Sequence, residues 1–305
     1  MRIPALVIGA AAPILVLAPA ASRAQVPFDV AITIDDVPWV GATHGDAALR
    51  HTRRMIATLR AHRAPVAVFV RCGGDASFQR ILREWREAGA TIGNHTTGHP
   101  GLHATDPHAW AEAVRSCDRS LASQGIAARW FRFPQLHQGT TSAQRDTAAA
   151  VLRELRYRNA PVTIDNNDYL LAAPYDRAVA RGESAERARI RRLMVSHDSL
   201  ATSHFRAVAR QALGRDVAHV LLLHANAMTA DALDELLTTL HGMGARFVSL
   251  EEAMRDPVYA MPDHYQGPKG ASWLYRVQRG DHVRMLRWDD DEGARLRRAL
   301  VQGGR

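Results

Sequence analysis

One short stretch of this 305-residue chain carries the clearest structural signal, Phe28-Asp29-Val30-Ala31-Ile32-Thr33-Ile34-Asp35-Asp36. Its first seven residues are mostly apolar and partly β-branched, which predicts a buried strand, and two carboxylates follow directly. Alone, such a pair is typical of a turn or a helix cap, but adjacent buried carboxylates are costly unless a cation offsets them. The stretch therefore predicts a central strand that places two acidic groups at one edge of a sheet.

Short β-rich runs alternate with longer helical segments along the rest of the chain. The runs are Val66–Val70, Thr91–Gly93, Trp130–Phe133, Val162–Ile164, His219–Leu223 and Arg246–Val248. This alternation predicts parallel βα units, either as an open doubly wound sheet or as a barrel. Polar residues follow five of the strands, and a barrel brings its C-terminal strand ends to one mouth. We therefore predict an α/β fold, a distorted TIM-like (β/α)7 barrel of parallel strands with its active site at the C-terminal strand ends.

Two histidines follow the third strand, in His95-Thr96-Thr97-Gly98-His99. On a helical turn this spacing would put both imidazoles on one face, as metal binding requires, although a solvated or structural pair is the alternative. Two imidazoles and one carboxylate of the first strand make a three-ligand metal site with open positions. The second carboxylate would then be a general base, a pattern typical of metal-assisted hydrolysis.

Three further polar groups lie at the ends of later strands. Arg132 could offset a buried carboxylate, or it could lie on the surface beside the turn at Pro134. The segment Asp165-Asn166-Asn167-Asp168 is by itself typical of a polar turn. His224 ends a very apolar strand, where it is either a satisfied buried histidine or a general acid flanked by Asp168.

Five motifs, in this order, resemble those of the polysaccharide deacetylases, the family of chitin, peptidoglycan and acetylxylan deacetylases. They are Thr33-Ile34-Asp35-Asp36, Asn94-His95-Thr96-Thr97-Gly98-His99, Arg132-Phe133-Pro134, Asp165-Asn166-Asn167-Asp168-Tyr169 and Leu222-Leu223-His224. The resemblance spans about residues 28–254. No single motif is specific, but five in the right order along this strand pattern are a strong signal.

The resemblance implies a role for each matched position around the metal. Asp35 would be the general base that deprotonates the attacking water. Asp36, His95 and His99 would bind the metal, which would polarise the amide carbonyl and activate that water. Arg132 would hold the carboxylate of the base.

It also implies how the leaving group and the acetyl group are handled. Asp168 would tune His224, which would protonate the departing amine. Tyr169 and Leu222 would line the pocket for the acetyl methyl group, and a backbone N–H near Gln135 would stabilise the oxyanion. Gln135 replaces the family's usual Tyr, and Tyr169 replaces its usual Trp, so these two positions bear on the identity of the substrate.

The resemblance thus implies a metal-dependent hydrolase that removes N-acetyl groups from a polysaccharide or cell-wall glycan. Zinc is the expected ion, because His and carboxylate ligands suit it, with cobalt or nickel as alternatives. One alternative function is O-acetyl ester cleavage of the acetylxylan type on the same site. Another, of a different class, is a non-catalytic carbohydrate-binding protein on this fold. The expected partner is an acetylated glycan, and the sequence does not indicate an oligomeric state.

The N-terminus is typical of a secretory signal peptide. Arg2 precedes an apolar stretch from Ile3 to Ala21, and Ser22-Arg23-Ala24 offers a small-residue cleavage site. An uncleaved membrane anchor is the alternative. We expect a signal peptide at residues 1–24, a catalytic domain at 25–256 and a mostly irregular C-terminal extension at 257–305, with a short helix near Glu292–Val301. The mature protein would be periplasmic or extracellular, without stable membrane insertion.

Composition limits the remaining possibilities. The formal net charge is +8, but the basic residues are interspersed with acidic ones, as in Arg83-Glu84-Trp85-Arg86-Glu87. Solvated helix faces are therefore expected, and not a nucleic-acid site. The two cysteines, Cys72 and Cys117, could form a disulfide in an oxidising compartment or remain as separate thiols.

Overall fold

The computed structural model describes residues 26–41, 44–73 and 76–302. Its centre is a sheet of seven strands, all paired in parallel, which confirms the predicted βα organisation. Strand β1 (Phe28–Val37) lies between β2 (Val66–Cys72) and β6 (His219–His224). All but one of its ten residues are buried, because a central parallel strand is covered on both faces, and its apolar sequence reflects this.

The ring of strands closes through residues 158–164. Beyond β2 the sheet continues through β3 (Thr91–Thr97), β4 (Trp130–Phe131) and β5 (Arg158–Asn159). Ile164, shortly after β5, pairs in parallel with Leu221 of β6. One chain segment therefore joins the two sides of the sheet, as a barrel requires. The strand predicted at Val162–Ile164 is present only as this isolated bridge, and the short β5 lies before it, where no strand was predicted.

The last strand does not reach the mouth of the barrel. Strand β7 (Ala245–Phe247) pairs with Phe28–Val30, the first residues of β1. Its position at the N-terminal end of β1 explains why no chemically active residue follows it in the sequence.

Seven longer helices flank the strands: α1 (Gly45–Ala61), α2 (Ala76–Glu87), α3 (Pro107–Ala122), α4 (Ser142–Glu154), α5 (Tyr169–Ala180), α6 (Ser184–Leu213) and α7 (Ala227–Gly242). Helices α5 and α6 are separated by Gly182, which has a positive φ of 68° that favours glycine.

The C-terminal extension contains more helix than the sequence predicts. After α8 (Leu250–Ala253) come two short helices, α9 (Trp273–Arg276) and α10 (His282–Met285), and then α11 (Arg287–Gln302). The predicted short helix at Glu292–Val301 is therefore the second half of a longer one. The domain boundary at residue 256 stays a prediction.

A disulfide joins Cys72, at the end of β2, to Cys117 of α3, so the alternative of two free thiols is excluded. None of the helices in the described part of the chain has the length and apolar character of a bilayer span. The predicted signal peptide at residues 1–24 lies outside the described residues.

Candidate active site

The three predicted metal ligands meet at the C-terminal ends of β1 and β3. The Nε2 atoms of His95 and His99 lie 3.8 Å and 3.5 Å from Oδ1 of Asp36. This Oδ1 is buried and has no hydrogen-bond partner within the described structure. A buried carboxylate oxygen without a donor is costly, and a cation between these three atoms would remove that cost. The donor set of two imidazoles and one carboxylate fits a divalent ion such as zinc.

Local backbone irregularities direct these side chains into the site. The register of β1 against β2 shifts between Ile34 and Val37, where Asp36 has a positive φ of 61°. The register of β2 against β3 shifts at the same level, near Thr96 with a φ of 69°. Bulges of this kind re-aim side chains next to active sites. The predicted helical turn for the histidine pair is wrong, since His95 belongs to β3 and His99 lies in the turn beyond it, with a φ of 59°.

Hydrogen bonding and burial prepare both imidazoles for metal binding. Nδ1–H of His95 donates to the carbonyl of Arg132 at 2.8 Å. Because a carbonyl can only accept, Nδ1 carries the proton, and Nε2 keeps its lone pair toward Asp36. Burial lowers the pKa of His95 to about 4, and burial together with the neighbouring His95 lowers that of His99 to about 4. Both rings are neutral at pH 7, as ligands must be.

Asp35 is buried against a guanidinium. Nη1 of Arg132 lies 3.1 Å and 3.2 Å from its two carboxylate oxygens. Arg132 is itself buried: it donates from Nε to the carbonyl of Ala160 at 2.5 Å and lies over the ring of Phe69. Burial raises the pKa of Asp35 to about 6, and the charge of Arg132 limits the rise. A carboxylate with this pKa can accept a proton near neutral pH.

His224 is the residue opposite Asp35 in the pairing of β6 with β1. Its Nδ1 lies 2.6 Å from Oδ1 of Asp168, and its backbone N–H donates to the other oxygen at 3.0 Å. Burial by itself lowers the pKa of this histidine, but the Asp168 carboxylate outweighs it and raises the pKa to about 10. The imidazole is therefore charged at pH 7 and can act as an acid.

The remaining predicted residues line one cavity of about 550 Å³ together with the ligand set. Leu222 is buried there beside Leu136 and Val162 in a small apolar cluster. Tyr169 is 52% exposed, and its ring is nearly perpendicular to that of His224, with the ring centroids 6.3 Å apart. Gln135 is exposed and has a positive φ of 56°. The structure thus brings all ten residues singled out from the sequence to one place.

Sequence reasoning missed several parts of this cavity, and two of them adjoin Gln135. Leu136 lies next to Gln135 in the chain, and no pattern in the sequence distinguishes it from a core leucine. The second part is the C-terminal extension, which contributes residues from two segments: Pro268, Lys269, Gly270, Asp289, Asp290, Gly293 and Arg297. The one compositional signal in it is Lys269, the single lysine in a chain that otherwise uses arginine.

The parallel strands form an α/β barrel, and the residues at its C-terminal strand ends form a candidate binding site for a divalent metal ion. Residues 23–160, a little under half of the chain, match the family model described as polysaccharide deacetylase. This match confirms the resemblance predicted from the sequence, and three of the five motifs lie within it. The match covers β1 to β5 and ends before Asp168 and His224. No curated protein matches the sequence at a significant level.

Solved structures with this fold include proteins of different activity. The chitin deacetylase from Colletotrichum lindemuthianum is 20% identical, with a TM-score of 0.52 over 75% of this chain and 88% of that one. The peptidoglycan deacetylase PdaC from Bacillus subtilis is 18% identical, with a TM-score of 0.50 over 75% and 92%. A CE4 family pseudoenzyme from Bacillus anthracis is 16% identical, with a TM-score of 0.53 over 75% and 66%. At these identities the likeness shows the fold alone.

Proposed function

We propose that this protein is an exported, metal-dependent deacetylase that removes N-acetyl groups from a polysaccharide or cell-wall glycan. The observation that carries the proposal is that a candidate general base and a candidate general acid both lie beside the predicted metal ligands. Asp35 is a buried base held by Arg132, and His224 is a charged acid held by Asp168. Amide hydrolysis needs both, because water must lose a proton and the amine must gain one.

Asp36, His95 and His99 would hold the divalent ion, with zinc expected and cobalt or nickel as alternatives. When bound, the ion supplies Lewis-acid chemistry at the acetyl carbonyl. Asp35 would take a proton from the attacking water, since its carboxylate is held in place by Arg132. Arg132 thereby fixes the geometry of the base and keeps it ionised at neutral pH.

The acetyl group would lie with its methyl against the apolar cluster of Leu136, Val162 and Leu222, and Tyr169 would cover it from the mouth. The backbone N–H of Gln135 would donate to the oxyanion. Nε2–H of His224 would protonate the departing nitrogen, because Asp168 occupies the Nδ1 side of the ring. In this proposal each of these residues either contacts the acetyl group or transfers one proton.

Acetate release is the direct test of this function. Zinc-loaded protein would be incubated with chitin oligosaccharides, peptidoglycan, acetylxylan and an aryl acetate. We expect release from an N-acetylated glycan. Release from acetylxylan and the aryl ester alone would favour the O-acetyl esterase. A protein that binds metal and glycan but hydrolyses none of these substrates would be a binding protein, and the proposal would be abandoned.

Export is proposed from the N-terminal sequence alone. Processing after Ala24 would give a mature protein that begins at Gln25. N-terminal sequencing of protein recovered from the cell envelope tests this. A protein that retains Ile3–Ala21 would instead be anchored to the membrane.

A further inference from the structure

The C-terminal extension packs directly against the turn that contains Gln135. A Cβ atom placed on Gly270 would lie 1.9 Å from the carbonyl oxygen of Gln135 and 3.1 Å from Cβ of Leu136. Only glycine fits this contact without a shift of one backbone or the other. Gln135 and Leu136 are consecutive non-glycine residues with φ of 56° and 57°. Such a backbone persists only where its surroundings hold it.

The segment that carries Gly270, residues 263–276, is here called the strap. Its C-terminal part is attached to the residues that close the barrel. The backbone N–H of Trp273 donates to the carbonyl of Val162 at 2.6 Å, and Oγ of Ser272 donates to the carbonyl of Thr163 at 2.9 Å. The position of Gly270 is therefore fixed relative to the strands that bear the site.

The N-terminal part of the strap is held by a partly buried charge cluster. Asp263 accepts from Nη2 of Arg276 at 2.6 Å and from Nη2 of Arg145 at 3.0 Å. Arg276 is buried, so this pair is screened little by solvent. Arg145 belongs to α4, which ties the strap to the helix that follows the Gln135 turn. Both ends of the strap are thus anchored to the barrel and its helices.

The strap also joins a second wall of the cavity. The ammonium group of Lys269 lies 2.6 Å and 2.5 Å from the carboxylate oxygens of Asp290 in α11. On α11, Asp289, Gly293 and Arg297 recur at a spacing of four and line the same cavity. The extension therefore forms a continuous wall of the site, although it lies outside the residues that match the family model.

We infer that the strap is a working part of the active site, in which Gly270 is a positioning residue that holds the Gln135–Leu136 turn against the reacting carbonyl. This inference rests on the proposed function, since it assigns the Gln135 backbone to the oxyanion. In this inference the C-terminal extension has a role in catalysis. Without the strap, the backbone of Gln135 and Leu136 could relax to negative φ, and the N–H of Gln135 would move away from the oxyanion.

The kinetic consequence differs from that of losing the acid. An oxyanion forms in both amide and ester hydrolysis, so displacement of its donor slows both reactions by a similar factor. Loss of a leaving-group acid slows the amide far more than an aryl ester. Displacement of the turn also leaves the three metal ligands in place, because none of them belongs to the strap.

Gly270→Ala tests the inference in the full chain, with Gly242→Ala as the matched control. A Cβ on Gly242, at the end of α7, would meet no atom within 4 Å. We expect Gly270→Ala to lower kcat by about 10²-fold on a chitin oligosaccharide and on an aryl acetate alike, with KM and bound zinc unchanged. Gly242→Ala should behave as the wild type.

A second variant, Ser272→Ala, removes one anchor of the strap and adds no atom. It should lower kcat on both substrates by the same, smaller factor, and it decides the matter if Gly270→Ala does not fold. An unchanged kcat in a folded Gly270→Ala variant would overturn the inference. If Gly270→Ala does not fold, an unchanged kcat in Ser272→Ala would overturn it. A change confined to KM or to one substrate would also overturn it. Wild-type protein that releases acetate from no substrate would overturn the proposed function and this inference with it, whereas an active wild type with active variants would overturn this inference alone.

Discussion

Asp35 and Asp36 are neighbours in the chain and both lie within 4 Å of Nε2 of His95, but their other partners differ. Asp35 is held by the guanidinium of Arg132, whereas Oδ1 of Asp36 points between two imidazoles and has no donor. Asp36→Asn should therefore weaken metal binding. Asp35→Asn should leave the metal bound and lower the rate by about 10²–10⁴-fold, because the proton acceptor is lost. Zinc titration and kcat measured on both variants check this, and the reverse pattern would exchange the two roles.

The residue opposite Asp35, His224, should matter more for poor leaving groups. An amine leaves only after it gains a proton, whereas a phenolate leaves without one. His224→Ala is therefore expected to slow N-acetyl hydrolysis heavily and aryl-ester hydrolysis much less. The ratio of the two kcat values is the measurement. Equal losses on both substrates would show that this histidine is not the acid.

The pH dependence of the rate follows from the two proton carriers. The pKa of Asp35 is raised to about 6 by burial, so the rate should rise with pH through about 6 as the base ionises. The pKa of His224 is raised to about 10 by Asp168, so the rate should fall above that pH as the acid loses its proton. Asp168→Asn removes the carboxylate and should move the alkaline limb to lower pH. If the alkaline limb of the pH–rate profile does not move in this variant, Asp168 does not control the pKa of His224.

At the level of strands and helices, the alternation of strands with helices was predictable, whereas the backbone irregularities within the strands were not. The apolar run before Asp35 and the alternation of strands with helices are set by burial, which the sequence records directly. The bulges at Asp36 and Thr96 are not recorded, because a positive φ in a non-glycine residue is imposed by its neighbours in space. For the same reason the helical turn predicted for His95 and His99 was wrong, although their meeting was predicted correctly.

The disulfide is the covalent link between the sheet and its helices, since Cys72 ends β2 and Cys117 lies in α3. It closes a loop that contains β3 and therefore His95. Reduction should lower the free energy of unfolding by about 2–4 kcal/mol, mainly because the unfolded chain gains freedom. Denaturant unfolding with and without reductant measures this, with a Cys72→Ser/Cys117→Ser double variant as the control that reductant should not affect. Equal stability of reduced and oxidised protein would contradict the expectation.

For the molecule as a whole, the sequence predicted the residues at the strand ends of the candidate site better than the residues that form its outer wall. The chemically active residues follow strands, and the barrel geometry brings strand ends together, so ten positions could be named in advance. The wall formed by Lys269 and α11 could not, because its contacts join parts of the chain more than 100 residues apart from Gln135 or Asp35 in sequence. No pattern within either segment indicates which distant part of the chain it contacts.

The central claim is that a metal held by Asp36, His95 and His99 is required for deacetylation. The most direct measurement is acetate release from a chitin oligosaccharide, or from the N-acetylated glycan that the substrate screen identifies, by protein stripped with a chelator and then reloaded with zinc. The account predicts that stripped protein releases no acetate and that zinc restores release with one ion bound per chain. Full activity in thoroughly metal-stripped protein would contradict it.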